Sequence, residues 1–482
     1  MFLKNTSIYF AGELISRVAK LASIYFVAAL LPKAEFGRYS FILALALIVL
    51  VFFDFGMNTL IMLRTSWRRF ERLAPFFIVE KLAVVLFTSS VTVLLAFVFH
   101  PFGASTQLVF SFALLCIGWD LQAFSSNALR SVLNFSGEFW TKSLGATGFP
   151  VVLAVTGLTG GSLSVPQLCL LQGGFLLVAG FAGVLLLRRN VPSLVPPRRH
   201  IRRGLLALGK IGAPLTLAAS AGVLQTSIDS IVLGSKNLLE TNASFTLVNR
   251  LGQIVQLPVN IVMFAALPYI VDKLDRGRRA PDGSLLRLAT KILVSSACAA
   301  AQIFILAVVV AVPALLGDKY SDVRIFGEVL GLYIVPLYLY PFFFNLMSAM
   351  RNVIGSQIIY GVSTLFNMIL DLVAISFFGP MAIAWVPVLV YWLLLFAALI
   401  YFRKRNGYWP FGLSEAVLAF FGQATILAPY LTWTSGSVRE VAARLLLASF
   451  WIAIFVFIFL REKTLFRQIL SPERKAQRET NA

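Results

Sequence analysis

The chain has 482 residues, of which 59% are hydrophobic and only 13% charged, and its mean hydropathy is +0.85. That composition excludes a soluble globular protein of average make-up and leaves a polytopic membrane protein. The formal charge of +20 does not imply nucleic acid as a partner, because no segment is long and polar enough to form a soluble domain with a basic face.

The first element, Phe2 to Leu31, is long enough to cross a bilayer yet carries Glu13, Arg17 and Lys20 near its middle. An ionisable residue at the centre of a span costs ~2.5 to 3.5 kcal/mol when it faces lipid. At helical spacing Thr6, Tyr9, Glu13, Ser16, Lys20 and Ser23 form one stripe, with Arg17 beside Ser16 and one turn from Glu13. This stripe requires water or polar partners. The run has no compact signal-peptide pattern and is expected to be retained.

Spans of ~20 apolar residues are predicted about 14 times, near 3–31, 37–63, 73–99, 107–132, 138–158, 165–187, 206–233, 241–268, 287–312, 323–349, 355–378, 381–402, 412–433 and 440–460. Alternate connectors hold most of the 41 basic residues. Among these are Arg64 to Arg72, Arg130 with Lys142, Arg188 to Arg203, Lys273 to Lys291, Arg351, Arg403 to Arg405 and the tail from Arg461. The positive-inside rule then places both termini in the cytoplasm. The connectors on the opposite side are short, so no domain is expected there.

The connector from Arg188 to Arg203, with Pro192, Pro196 and Pro197, reads as an interhelical linker. It divides the chain into an N-terminal six-helix bundle at 1–187, the basic linker at 188–205 and a C-terminal six-helix bundle at 206–402. Two additional spans at 403–460 and a basic cytoplasmic tail at 461–482 follow. Both halves open with a polar-striped span, a short connector and a second polar-bearing span, which is compatible with parallel repeats.

Polar stripes mark further spans. In the second, Asp54 and Asn58 share a face. In the fourth, Asp120, Asn127 and Asn134 recur at steps of seven. The seventh has Lys210, Pro214, Gly222, Gln225 and Asp229. The eighth carries the longest line, Asn242, Thr246, Asn249, Gln253, Gln256 and Asn260, with Arg250 beside it. The eleventh adds Gln357, Tyr360, Thr364, Asn367 and Asp371. Two readings fit such amides: hydrogen bonding between helices, worth about 0.6 kcal/mol per bond on average, or the lining of a hydrated path for polar cargo.

Cys116, Cys169 and Cys298 are scattered among spans without metal-ligand spacing and are expected to be inert buried thiols. The two histidines, His100 and His200, are isolated, and paired cysteines, metalloprotease motifs and phosphate-binding glycine loops are missing. No metal or cofactor is therefore expected, and a transporter is favoured over an enzyme.

Several segments carry a resemblance. Lys4-Asn5-Thr6 opens the first span, and Leu31-Pro32-Lys33-Ala34-Glu35-Phe36-Gly37-Arg38-Tyr39-Ser40 is similar to an "L-G-P-x-x-F-G-x-Y-S" connector. Asp54-Phe55-Gly56-Met57-Asn58-Thr59 and Ile228-Asp229-Ser230-Ile231-Val232-Leu233-Gly234 are similar to the ends of a second and a seventh span. Asn367 and Asp371, then Phe378-Gly379-Pro380-Met381-Ala382, resemble an eleventh-span motif and its glycine turn, with Ala382 where a second glycine is usual. Together these resemble the polysaccharide transporters of the O-antigen flippase type, within the multidrug, oligosaccharidyl-lipid and polysaccharide exporter superfamily.

The resemblance implies two six-helix bundles around a central lumen, alternating access, a bacterial inner-membrane location and an undecaprenyl-diphosphate-linked oligosaccharide as cargo. On this reading Arg17, Lys20 and Arg250 engage the diphosphate or an acidic sugar, while Asn249, Gln253, Gln256 and Asn260 line the glycan path. Glu13 pairs with Arg17 when no cargo is present, and Asp54 or Asp229 couples a proton or sodium gradient. Membrane lipids and other polysaccharide-assembly membrane proteins are the expected partners. The alternatives are a drug or cation exporter of the same superfamily, which would favour acidic lumen residues, and a membrane polymerase or acyltransferase, which would need acid, base or nucleophile groups near an accessible surface.

Overall fold

The computed structural model describes residues 2–54, 105–132, 134–190, 223–256, 283–349, 353–407, 411–432 and 437–461, with a few isolated positions between them. All regular structure among the described residues is helical. By contact density the chain forms two compact units, Met1–Ala243 and Ser244–Ala482. Most of the predicted linker, from 191 onward, and the predicted third span, apart from Ser90, lie outside the described residues.

The first unit begins with α1 (Phe2–Leu30) and α2 (Lys33–Phe53), separated by Leu31 and Pro32. Pro32 cannot donate to the preceding turn, so one helix stops and the next starts there. It continues with α3 (Thr106–Ser131), α4 (Phe135–Leu158) and α5 (Val165–Asn190). α3 packs along α5, and α1 along α4. The α3–α5 crossing is close because Gly173 has no side chain. A Cβ there would sit 2.7 Å from the Leu115 amide nitrogen, the kind of approach that small residues permit between membrane helices.

A helix over 223–235, α6, leads to α7 (Leu239–Val255). The first unit extends past the linker to Ala243 because the opening turn of α7 is bonded to the α1–α2 joint. Asn242 is fully buried and its Nδ2 donates to the Gly37 carbonyl at 2.8 Å. Gly37 lies so close to the Leu239 backbone that any Cβ would clash. Tyr39, in the same joint, donates to Gln172 Oε1 of α5 at 2.6 Å. Phe36, Tyr39 and Ser40 are buried. The connector segment that carries the resemblance is thus a structural clamp.

The second unit is built around α8 (Gly283–Leu306), which runs on through a π-turn (Ala307–Ala311) into Val312–Leu316. Pro313 lacks the amide hydrogen that a regular helix would use there, which accounts for the widened turn. Gly317, at φ +70°, ends it. The predicted single span at 323–349 is two helices, α9 (Val323–Gly331) and α10 (Ile334–Ala349), bent by 48°. α11 (Val353–Phe378) precedes a 3-10 turn (Pro380–Ala384), α12 (Trp385–Asn406), α13 (Leu413–Thr432) and α14 (Val438–Arg461). Gly379 makes the α11–α12 corner at φ +84°, a conformation that costs glycine little.

α8 packs against α14, α13, α10 and α9. Arg444 of α14 is 1% exposed and bonds through Nε to Glu440 Oε1 at 2.6 Å and through a terminal nitrogen to Gln302 Oε1 of α8 at 3.3 Å. Gln302 donates to the Thr425 carbonyl of α13 at 3.1 Å, and Trp451 Nε1 donates to Thr425 Oγ1 at 3.0 Å. The two last helices are therefore part of the second unit's core.

Large apolar side chains on α11, α13 and α14 face outward, among them Val362, Phe420 and Leu446. Among the described residues seven helices, or eight with the bent pair, are long and apolar enough to span a membrane. The protein is an all-α, multi-pass membrane protein.

Candidate functional site

The polar stripe of α1 meets α4. The crossing is set by Gly12, where an added Cβ would lie 3.1 Å from Phe139 Cδ2. This close approach brings Glu13 within reach of the residues one turn on either side of Phe139, at the start of α4. Glu13 Oε1 accepts from Arg17 Nε at 3.1 Å, one turn along α1. Glu13 Oε2 accepts from Lys142 Nζ at 3.1 Å, across the helix pair. Lys142 also reaches Glu138 Oε1 at 3.0 Å, and the same oxygen accepts from both Nε and a terminal nitrogen of Arg130, at the end of α3.

The α3–α4 corner itself is capped by Asn134, whose Oδ1 accepts from the Gly137 amide at 2.9 Å. Glu138 in the first turn of α4 and Arg130 in the last turn of α3 also complement the two helix dipoles. Five side chains from three helices thus form one chain, Arg17–Glu13–Lys142–Glu138–Arg130. It holds three cations and two carboxylates among the described residues.

Burial is uneven along it. The Glu138 side chain is 2% exposed, Lys142 19%, Arg130 22%, Arg17 25% and Glu13 27%. Glu138 is consequently an internal anchor between Lys142 and Arg130, and the Glu13–Arg17 end opens to the surface of the unit. Lys20, one turn beyond Arg17, is exposed on the same helix. A partly open ridge with more cation than carboxylate among the described residues cannot face hydrocarbon at acceptable cost. It can hold an anion.

The pairing of Glu13 with Arg17 agrees with the sequence reading. Of the two residues counted with this basic connector, Arg130 stands beside it in the last turn of α3, and Lys142 lies two turns inside α4, roughly 10 Å from its start. Asn134, read as the third step of the fourth-span stripe, is past the end of α3 and caps α4. The sequence reading missed Glu138. Its signal is the Glu138-x-x-x-Lys142 spacing, the favourable i, i+4 order for an ion pair.

In the second unit Arg250 donates to Gln253 Oε1 at 3.0 Å, one turn along α7. Asn249 Oδ1 accepts from Tyr333 at 3.4 Å, and Gln256 Nε2 donates to the Leu337 carbonyl at 3.1 Å. Asn242 and Gln256 thus act as bonds between helices, while Arg250 and Gln253 are half-buried. Asn260 lies outside the described residues. Asp54, at the end of α2, is buried and accepts from the Asn58 amide at 3.0 Å. Asp229 of α6, Asp120 of α3 and Asp371 of α11 are all buried. The three cysteines are buried free thiols, and among the described residues no group of His, Cys, Asp or Glu could hold a metal ion.

No curated protein matches the chain. Solved structures do. The lipid II flippase MurJ, in an inward closed conformation, matches with a TM-score of 0.66 at 14% identity, over 95% of this chain and 99% of that one. An inward-facing multidrug resistance MATE family transporter of the MOP superfamily matches with a TM-score of 0.56 at 16% identity, over 87% and 96%. The MATE transporter VcmN of Vibrio cholerae in its bent form matches with a TM-score of 0.52 at 14% identity, over 84% and 97%. The fold is therefore one used by flippases and multidrug transporters. The family model described as "Polysaccharide biosynthesis protein" matches residues 2–273, more than half of the chain, and the protein belongs to that family.

Proposed function

We propose that the protein is a flippase that moves an undecaprenyl-diphosphate-linked oligosaccharide from the cytoplasmic to the outer leaflet of a bacterial inner membrane by alternating access, for surface polysaccharide assembly such as O-antigen. The observation that carries this reading is the ridge in which Arg17 and Lys142 share Glu13, with Lys20 exposed one turn further along α1. Cations at membrane depth suit a phosphorylated headgroup. The membership of the polysaccharide biosynthesis family supports the same cargo class, and the flippase among the solved structures supports the same kind of movement.

On this reading Arg17, Lys20 and Arg250 bind the diphosphate or an acidic sugar, and Asn249, Gln253, Gln256 and Asn260 line the glycan path. Glu13 is the resting counter-ion of Arg17. Asp54 or Asp229, both buried, couples a proton or sodium gradient to the cycle. A drug or cation exporter is the rival reading. It calls for an excess of carboxylate at membrane depth, opposite to the balance in the α1–α3–α4 cluster.

Complementation of a strain lacking its own flippase tests the proposal, using Arg17→Ala, Lys20→Ala and Arg250→Ala at normal expression. Loss of surface glycan is expected in each. Full surface glycan in all three overturns anion binding and, with it, this function.

A further inference from the structure

We propose that Lys142 is an anion-binding residue of this site, that buried Glu138 is its positioning residue, and that Glu13 is a counter-ion shared by Lys142 and Arg17. The inference rests on the flippase reading and extends it to a second helix and to the order in which contacts exchange.

The geometry points this way for three reasons. First, Glu13 is bidentate in function: one oxygen takes Arg17 from its own helix and the other takes Lys142 from α4, each at 3.1 Å. An anion that displaces this one carboxylate gains two cations at once, an arrangement matched to the paired charges of a diphosphate.

Second, Glu13 is the most exposed member of the chain and Glu138 the least. The Glu13 carboxylate is therefore the one that an incoming anion reaches, whereas the Glu138 carboxylate is shielded. Third, Lys142 would be a flexible point charge if Glu13 were its only partner. Glu138, one turn away and itself clamped by Arg130, keeps the ammonium at 3.0 Å when Glu13 lets go. Arg130 supplies the opposing charge beside buried Glu138. In the resting state each of these cations thus has a carboxylate partner, and in the loaded state Arg17 and Lys142 exchange Glu13 for the anion.

Binding to the purified full chain in nanodiscs tests this, with inorganic pyrophosphate as one probe and glucuronate as the other, which separates a diphosphate from an acidic sugar. Lys142→Met is expected to weaken binding of one of these anions about tenfold, the scale of one charge-assisted hydrogen bond. Lys142→Arg should restore most of it. Glu13→Gln should act in the opposite direction and tighten binding about threefold or more, because the competing carboxylate is gone. Glu138→Gln should weaken binding in the wild-type background and do nothing in the Lys142→Met background.

A purely structural role for these pairs predicts that Glu13→Gln weakens binding along with stability, so the sign of that change decides between the two. If Lys142→Met does not fold, the Lys142→Arg and Glu13→Gln affinities carry the test unaided. Wild-type affinity in Lys142→Met, weaker binding in Glu13→Gln, or no binding of either anion by the wild type would each overturn the inference. Normal binding in Lys142→Met beside deficient surface glycan in Arg17→Ala, Lys20→Ala and Arg250→Ala removes only this inference. Full glycan in all three of those variants removes the flippase reading.

Discussion

Two ionic networks in this molecule invite comparison. In the first unit, Arg17, Glu13, Lys142, Glu138 and Arg130 link α1, α3 and α4, with four of the five side chains roughly a fifth to a quarter exposed. In the second, Arg444 and Glu440 are each 1% exposed and are joined to Gln302 and Thr425 across α8, α13 and α14. Both begin with a glutamate and an arginine four residues apart on one helix, so local spacing does not distinguish them. Burial and stoichiometry do. The second pairs one arginine with one glutamate out of reach of solvent, and Arg444 reaches acceptors on α14, α8 and α13. The first has more cation than carboxylate among the described residues and an open end. A closed pair can only hold helices together, whereas an open, unbalanced one can also exchange partners.

That contrast can be broken or sharpened by substitution. The largest effect is expected at Arg444→Met, which takes the Arg444 charge away from buried Glu440 and should destabilise the fold by ~3–5 kcal/mol. Arg444→Met combined with Glu440→Met should recover most of that loss, because breaking a buried pair costs more than replacing it. Thermal unfolding in detergent reads both, and equal damage from the single and double variants would contradict the assignment as a staple.

At the open network the order of effects should reverse. Arg17→Ala is expected to change stability by less than ~1 kcal/mol, as for other partly exposed pairs, yet to lower surface glycan about tenfold, the scale of a lost charge-assisted contact. A melting shift as large as that of Arg444→Met would make the first network a staple as well.

Trp451→Phe removes one buried hydrogen bond to Thr425 and should cost ~1 kcal/mol with glycan export intact. Smallest of all, Glu35→Gln at the exposed Glu35–Arg38 pair, 3.0 Å apart on α2, should leave the unfolding free energy within ~0.5 kcal/mol of the wild type. That variant sets the baseline for surface pairs.

Much of the fold is legible in the sequence because burial in a bilayer is a property of each segment by itself. The apolar runs at 107–132, 138–158 and 165–187 correspond closely to α3, α4 and α5. Broken helices are less legible. The run at 323–349 reads as one span, and only the folded structure has the 48° bend. Polar stripes divide in the same way. Asn242 on α7 and Gln256 just past its end look alike in the sequence, and their use as bonds between helices depends on which carbonyls lie opposite.

At the candidate site, the Glu13–Arg17 pair follows from helical spacing on one segment, as does the need of that segment for a polar neighbour. The identity of the neighbour does not. Glu13 and Lys142 are 129 positions apart, and they meet because Gly12 lets α1 lie against Phe139. By itself the sequence determined the apolar spans, the cation-bearing stripe and the family resemblance, since each depends on local composition or on short segments. Tertiary structure alone decided that Lys142 belongs to the stripe, that Glu138 is buried behind it and that Arg444 is a closed staple, because burial and long-range contact exist only once helices have packed.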